Sequence, residues 1–136
     1  MNVLIVGCGD LGLRVARRLL DEPGNKVWAM RRHPPENVSV PGLHWIAADL
    51  ARPETLTNLP EGITHLVYLP APDTRTEAGY RAVYRQGIEN ILRALPSPGP
   101  QRVIFISSTA VYGDHCDAWV NEDTPLDPPG FNGRIL

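Results

Sequence analysis

Three glycines in the segment Gly7-Cys8-Gly9-Asp10-Leu11-Gly12 constrain the fold of this chain more than any other feature. They follow the continuous apolar run Val3–Val6, which is typical of a strand covered on both faces in a parallel sheet. Behind the glycines, Leu11, Val15 and Leu19 recur at helical spacing until Pro23-Gly24. The segment is therefore predicted to be the tight loop of a strand–loop–helix unit.

The spacing Gly-x-Gly-x-x-Gly in this context predicts a loop that binds a dinucleotide. Gly7 permits the tight turn, Gly9 lets a pyrophosphate approach the backbone, and Gly12 lets the helix pack closely on the strand. The helix N-terminus then faces the phosphates, so we expect Asp10 and Leu11 to border the pyrophosphate with the three glycines. A purely structural turn is the alternative interpretation.

Strand-like and helical segments alternate along the rest of the chain. Apolar runs predict four further strands and apolar periodicity predicts two further helices. The predicted strands are Val27–Met30, Leu43–Ala47, His65–Leu69 and Val103–Ile106, and the helices are Pro53–Leu59 and Tyr80–Leu95. This alternation predicts an α/β fold with a doubly wound parallel sheet, the NAD(P)-binding Rossmann fold, whose ligands bind beyond the carboxyl ends of the strands.

The helix over Tyr80–Leu95 carries its apolar residues at steps of three and four, with Gly87 on the same stripe. Because glycine lowers helix propensity, its position there predicts close approach to the sheet rather than a break. The strand Val103–Ile106 is expected to be buried. Residues 114–136 are rich in Pro, Asp and Gly and are expected to be a loop leading toward a missing substrate region, so residues 1–136 would be one incomplete domain.

Composition excludes several classes of partner. A chain of 136 residues with 43% hydrophobic residues, 21% charged residues and a net charge of −2 is typical of one globular domain, not of a nucleic-acid or membrane-surface protein. No apolar run approaches the ~20 residues of a membrane-spanning helix. The chain starts directly with a strand, and its only cysteines are Cys8 and Cys116. We therefore expect no signal peptide, reduced thiols and a cytoplasmic location.

The end of the second strand predicts which dinucleotide binds. An NAD site would place Asp or Glu there for the ribose hydroxyls, whereas this chain has Arg31 and Arg32. A guanidinium binds a 2′-phosphate through charge-assisted hydrogen bonds, so NADP is favoured and NAD is the second choice. Successive residues at a strand end point to opposite sides, so one arginine should meet the phosphate. Two solvated arginines without a ligand are the alternative.

Together with Ala48-Asp49-Leu50 and Ile106-Ser107-Ser108-Thr109-Ala110-Val111-Tyr112-Gly113, the glycine loop resembles the short-chain dehydrogenase/reductase superfamily. The resemblance covers nearly the whole chain and is greatest to the NAD-dependent epimerase/dehydratase branch. It implies that Asp49 and Leu50 border the adenine and that Leu69, Pro70 and Ala71 line the cofactor. It also implies that Ser108 is the active-site hydroxyl, with Thr109 as the second candidate.

The chain departs from that family at three positions. Sugar-nucleotide epimerases have one more residue in the glycine loop, so the chain resembles an atypical member of the branch. The acidic pair of the dehydratases is replaced by Thr109 and Ala110, which argues against dehydration by that route. The family's Tyr-Gly-x-Ser-Lys motif matches Asn132-Gly133-Arg134-Ile135-Leu136 only at the glycine. Asn132 cannot exchange a proton near neutral pH and Leu136 carries no charge, so the usual acid and base are absent.

These features lead to one main functional hypothesis. The chain is expected to be the N-terminal portion of an NADP-dependent oxidoreductase or epimerase acting on a small polar, sugar-nucleotide-like substrate. A non-catalytic NADP-binding sensor or scaffold, or an inactive fragment, are the alternatives. The four histidines show no metal-ligand spacing, and no metal site is expected. The sequence predicts neither the substrate itself nor the oligomeric state.

Overall fold

The structure is a computed structural model that describes all 136 residues. Five strands form one parallel sheet in the order β3-β2-β1-β4-β5. The strands are β1 (Asn2–Val6), β2 (Lys26–Arg31), β3 (Leu43–Ala47), β4 (His65–Tyr68) and β5 (Arg102–Phe105). The helices are α1 (Asp10–Leu20), α2 (Glu77–Arg81), α3 (Ile88–Ala94) and α4 (Phe131–Ile135). The predicted doubly wound α/β sheet is confirmed.

Alternate residues of β1 belong to two cores on opposite faces of the sheet. Val3 and Ile5 pack in the core that α1 covers, whereas Leu4 and Val6 pack in the core that α3 covers. Since all four side chains are buried, β1 has the continuous apolar pattern that its sequence shows. Each such side chain contributes about 1.5–3 kcal/mol through burial. This central strand therefore anchors the loop that follows it.

The face of α1 that packs on the sheet differs in part from the prediction. Gly12 and Ala16 are buried, and Val15 and Leu19 pack beside them. Leu11, predicted on the same stripe, is instead 53% exposed. The reason is that the small residues Gly12 and Ala16 make the closest contact, which turns the position before Gly12 outward. Apolar periodicity alone does not show that the small residues, and not Leu11, form the packed face of α1.

Helices α2 and α3 follow one another through a π-helical turn, Ala82–Gly87. The predicted close approach of Gly87 is confirmed, because a Cβ atom there would lie 2.6 Å from the hydroxyl of the buried Tyr68. Leu92 was expected on the buried stripe, and it is 41% exposed. The wider π turn breaks the simple helical periodicity on which that expectation rested. The helix predicted over Pro53–Leu59 is only a 3₁₀ turn, Pro53–Thr55.

The prediction that the fifth strand is buried was wrong. β5 is an edge strand that pairs only with β4, and its Val103 and Ile104 are 43% and 42% exposed although they lie on opposite faces. Only Phe105 packs substantially, with its ring stacked 5.5 Å from that of Tyr68. An apolar run indicates a strand, but its burial depends on neighbours that the run itself does not specify.

Residues 114–136, expected as a loop, contain the short helix α4. This helix lies against the 3₁₀ turn Thr109–Val111, and a Cβ atom on Gly133 would collide with the carbonyl oxygen of Ala110. Phe131 also packs edge-on against Tyr80 of α2. The last residues are thereby held beside the end of β5. No helix of the structure has the length and apolar character needed to cross a membrane.

Candidate functional site

A cavity of about 360 Å³ lies beyond the carboxyl ends of the strands. The chain runs from β1 to β2 and β3 on one side of the sheet and then crosses over from β3 to β4 on the other side of β1, which makes this the topological switch point of the sheet. The loops after β1, β2, β3 and β4 and one side of α2 and the π turn form its wall. The lining residues are Val6, Gly7, Gly9, Met30, Arg31, Arg32, Ala48, Asp49, Leu50, Ala51, Pro70, Ala71, Asp73, Thr74, Gly79, Ala82 and Val83.

The glycine loop forms one wall of this cavity. Gly7 has a φ of +81°, and a Cβ atom there would lie 2.5 Å from the backbone nitrogen of Pro70. A side chain at Gly7 is therefore excluded both by the backbone conformation and by the close approach of the loop after β4. At Gly9 a Cβ atom would have no neighbour within 4 Å. The absence of a side chain at Gly9 thus leaves open space beside the backbone, which is where a ligand can approach.

Gly12 has a different role from the other two glycines. It does not line the cavity, and a Cβ atom there would lie 2.9 Å from Sγ of Cys8 and 3.3 Å from Cγ2 of Ile5. It therefore allows α1 to pack on β1. The Cys8 side chain is fully buried beneath the helix, and burial raises the pKa of its thiol to about 11 although Arg31 acts in the opposite direction. Cys8 is consequently a packing residue and not a nucleophile at neutral pH.

The first turn of α1, which directly follows the cavity-lining Gly9, has unpaired hydrogen-bond donors. The backbone N–H groups of Asp10, Leu11 and Gly12 have no acceptor within the chain. The Asp10 carboxylate does not cap the helix, because it pairs with Arg14 at 3.0 Å instead. Unpaired N–H groups and the positive end of the helix dipole form a binding site for a phosphate. The side chains of Asp10 and Leu11 themselves do not line the cavity.

The two arginines at the end of β2, Arg31 and Arg32, both line the cavity, but their surroundings differ. Arg32 donates to the Asp73 carboxylate with an Nη2–Oδ1 distance of 2.6 Å. Hydrogen bonding to Arg32 lowers the pKa of Asp73, and the same bond raises the pKa of Arg32. Arg31 makes no ion pair and is exposed. Arg31 is therefore the arginine that is free to bind an anion at this end of the cavity.

The loop after β3 is held by hydrogen bonds within its own turn. The Asp49 carboxylate accepts the N–H of Ala51 at 3.0 Å, and Asn90 of α3 donates to the Leu50 carbonyl at 2.8 Å. These bonds fix Asp49 and Leu50 in the cavity wall opposite the glycine loop. On the β4 side, Pro70 and Ala71 line the cavity, whereas Leu69 packs in the core under α1.

Several lining residues were not predicted from the sequence. Asp73 and Thr74 lie between β4 and α2, and Gly79, Ala82 and Val83 belong to the helix side of the cavity. Tyr68, buried under that helix, donates its hydroxyl to the Val83 carbonyl at 2.5 Å. Burial raises the pKa of this phenol, so the group stays protonated and acts as a structural donor. A small or apolar residue in a helix carries no signal that distinguishes a ligand contact from a core contact.

Ser108 and Thr109 lie after β5 and outside the cavity wall. Ser108 is exposed, and its Oγ accepts the N–H of Ala110 at 3.2 Å, which leaves its O–H free to donate. Helix α4 is adjacent, so the structure brings Asn132 and its neighbours to the turn that follows Ser108. The hydroxyl of Tyr112 is engaged elsewhere, since it donates to the Asn121 carbonyl at 3.0 Å. No three His, Cys, Asp or Glu side chains are grouped as metal ligands.

Comparisons with known proteins agree with this geometry. The family model of the NAD-dependent epimerase/dehydratase family matches residues 3–132. A solved structure from Methylobacillus flagellatus, assigned as an NAD-dependent epimerase/dehydratase, is 37% identical with a TM-score of 0.74 over 98% of this chain and 46% of its own. No curated protein was found to be similar in sequence.

Two further solved structures are similar. A short-chain dehydrogenase/reductase superfamily protein from Agrobacterium tumefaciens with bound NAD is 24% identical, with a TM-score of 0.77 over 99% of this chain and 42% of its own. MoeE5 in complex with UDP-glucose and NAD is 25% identical, with a TM-score of 0.76 over 99% of this chain and 45% of its own. The chain thus spans less than half the length of each of these three structures.

Proposed function

Because this chain belongs to the NAD-dependent epimerase/dehydratase family, we propose that its cavity binds the nicotinamide dinucleotide of an NAD(P)-dependent oxidoreductase or epimerase. The observation that carries the proposal is the open space beside Gly9 next to the unpaired N–H groups of the first turn of α1. A pyrophosphate placed there receives backbone donors and meets no side chain. When bound, the dinucleotide supplies the hydride chemistry of the reaction.

We further propose that NADP is preferred over NAD. Arg31 is exposed, unpaired and part of the cavity wall at the end of β2, where an NAD-specific site would have a carboxylate. Its guanidinium can form charge-assisted hydrogen bonds with a 2′-phosphate, which NAD lacks. The proposal also places Asp49 and Leu50 beside the adenine and has Pro70 and Ala71 line the cofactor, as the family resemblance implies.

The preference is tested by titrating the protein with NADPH and NADH and following fluorescence. The Arg31→Ala variant should raise the Kd for NADPH by about tenfold, which is what the loss of one hydrogen bond to a charged group implies. Its Kd for NADH should change less than twofold. Arg18→Ala is the matched control, because Arg18 is an exposed arginine of α1 that lies outside the cavity wall. Equal affinities of the unmodified protein for both dinucleotides would reject the NADP preference.

For the substrate side, we propose a small polar, sugar-nucleotide-like substrate bound near Ser108. The Ser108 hydroxyl remains free to donate while its oxygen accepts from Ala110. Residues 114–136 lead along this side of the sheet, and we propose that they connect the cofactor domain to a substrate region. The test is conversion of sugar nucleotides, measured as reduction of NADP⁺ to NADPH for an oxidoreductase and as formation of the epimeric sugar nucleotide for an epimerase, with Ser108→Ala as the variant. Unchanged turnover in that variant would remove Ser108 from the active site.

A non-catalytic sensor is the second candidate, and two residues of the last segment, Asn132 in α4 and Leu136 directly after it, favour it. Asn132 and Leu136 stand where the family places a proton donor and a lysine, so neither can move a proton or provide a charge. A sensor would bind the dinucleotide as proposed above but would transfer no hydride between it and a substrate. Dinucleotide binding without turnover of any sugar nucleotide would favour this candidate over the enzyme.

A further inference from the structure

An ion pair joins the two loops on either side of the glycine loop. Arg32 follows β2 and Asp73 follows β4, and these strands flank β1 in the sheet. The Nη2–Oδ1 distance is 2.6 Å across a sequence separation of 41 residues, and both residues line the cavity. The pair therefore links the loop after β2 to the loop after β4 at the cavity wall.

This pair contributes little to folding stability. The side chains of Arg32 and Asp73 are 47% and 64% exposed, and exposed ion pairs are weak because solvent screens them. Its importance is that it changes the charge available to a ligand. Arg32 is bonded to Asp73 and also lies in the field of Asp49, so two carboxylates offset its charge.

We propose that Asp73 is a specificity-determining residue that narrows the preference for NADP over NAD by holding Arg32 away from the 2′-phosphate. The inference rests on the proposed dinucleotide site. Arg31 then provides the main contact with the 2′-phosphate, and Arg32 contributes only when its bond to Asp73 breaks. Asp73 also repels the 2′-phosphate directly, because both groups are negative at neutral pH. NAD has neither the phosphate nor this penalty, so Asp73 affects the two dinucleotides differently.

The experiment compares the unmodified protein with Asp73→Asn, Arg32→Ala and the double variant. Asparagine has nearly the same shape as aspartate but carries no charge, so it weakens the bond to Arg32 and removes the repulsion. We expect Asp73→Asn to lower the Kd for NADPH about fivefold to tenfold and to change the Kd for NADH less than twofold. In the Arg32→Ala background the effect of Asp73→Asn should be smaller, because only the direct repulsion remains.

The matched control is Asp21→Asn, which makes the same change in net charge at the far end of α1, where no cavity residue lies. Dinucleotide binding should not respond to it. All titrations are made at one low salt concentration, because screening weakens these interactions. A merely structural role for Asp73 would affect NADPH and NADH equally, so the ratio of the two Kd values is the decisive quantity.

Two results would overturn the inference while leaving the proposed function intact. The first is that the ratio of the Kd for NADPH to the Kd for NADH in Asp73→Asn lies within twofold of the same ratio in the unmodified protein. The other is a strong loss of NADH binding in that variant, which would show that Asp73 contacts the ribose directly. If the unmodified protein binds neither dinucleotide, the proposed function itself is wrong and the inference is rejected with it.

Discussion

Replacing Gly9 by alanine should separate dinucleotide binding from folding. A Cβ atom at Gly9 has no neighbour within 4 Å, and the backbone φ of −89° is accessible to alanine. The folded state therefore accommodates the methyl group without a clash. Because Gly9 is the N-cap of α1, the helix loses a favourable cap residue, which costs about 0.5–1 kcal/mol. The free energy of unfolding should change by no more than this amount.

The effect on binding should be larger, because the methyl group occupies the space that the pyrophosphate would use. Each hydrogen bond between a backbone N–H and a phosphate that lengthens beyond reach removes about 1.5–3 kcal/mol. The loss of one such bond raises the Kd for NADPH by about 10- to 150-fold. The Kd for NADH should rise by a similar factor, since both dinucleotides contain the pyrophosphate.

The assay is a fluorescence titration of both dinucleotides, accompanied by urea unfolding of the same samples. Gly9→Ser is the matched variant, because serine restores a good N-cap while keeping the Cβ atom. It should recover stability but not affinity. If Gly9→Ala binds NADPH within twofold of the unmodified protein while remaining folded, the pyrophosphate does not approach the backbone at Gly9, and the reasoning for the whole site fails.

Two further predictions concern packing. Gly87→Ala should lower the free energy of unfolding, measured in urea, by about 1–2 kcal/mol. The new Cβ would lie 2.6 Å from the Tyr68 hydroxyl, and this overpacking outweighs the gain in helix propensity. An unchanged free energy of unfolding would show that Tyr68 moves aside freely. For the thiols, a disulfide-exchange reagent at mildly alkaline pH should modify the exposed Cys116 quickly and leave Cys8, buried with its pKa raised to about 11, unmodified until guanidinium is added. Fast modification of both thiols in the native protein would contradict this prediction.

The parts of the fold that could be predicted from sequence are those determined by local interactions. The unit from β1 to α1 depends on residues that are close in sequence. The tight turn predicted at Gly7 and the close helix–strand packing predicted at Gly12 are both present in the structure. The close approach of Gly87 was also predictable, because a glycine on the apolar stripe of a helix lowers helix propensity and is favoured where a neighbouring element packs against the backbone. The exposure of β5 was not predictable from its apolar run, because it depends on which elements lie beside the strand.

The candidate site was also predictable only in part, because some of its residues come together through contacts between distant parts of the chain. Arg31, at the end of β2, was expected at the cavity because parallel strands end at one edge of the sheet, whereas Asp49 was expected there from the family resemblance. The pairing of Arg32 with Asp73 joins residues 41 positions apart, and nothing in the local sequence of either one indicates it. Val83 reaches the cavity only because of the π turn, which apolar periodicity does not reveal.

The π turn also makes chain length important at this place. A π turn contains one residue more than an α-helical path between the same two ends, and the extra residue is accommodated by a local widening of the backbone. Deleting one residue from Ala82–Gly87 would therefore convert this stretch to a regular α-helix while α2 and α3 keep their orientation, so the change would be confined to the part of the cavity wall that Ala82 and Val83 form. Insertion or deletion of one codon can thus reshape this wall while Gly79 and the loops at the strand ends keep their places.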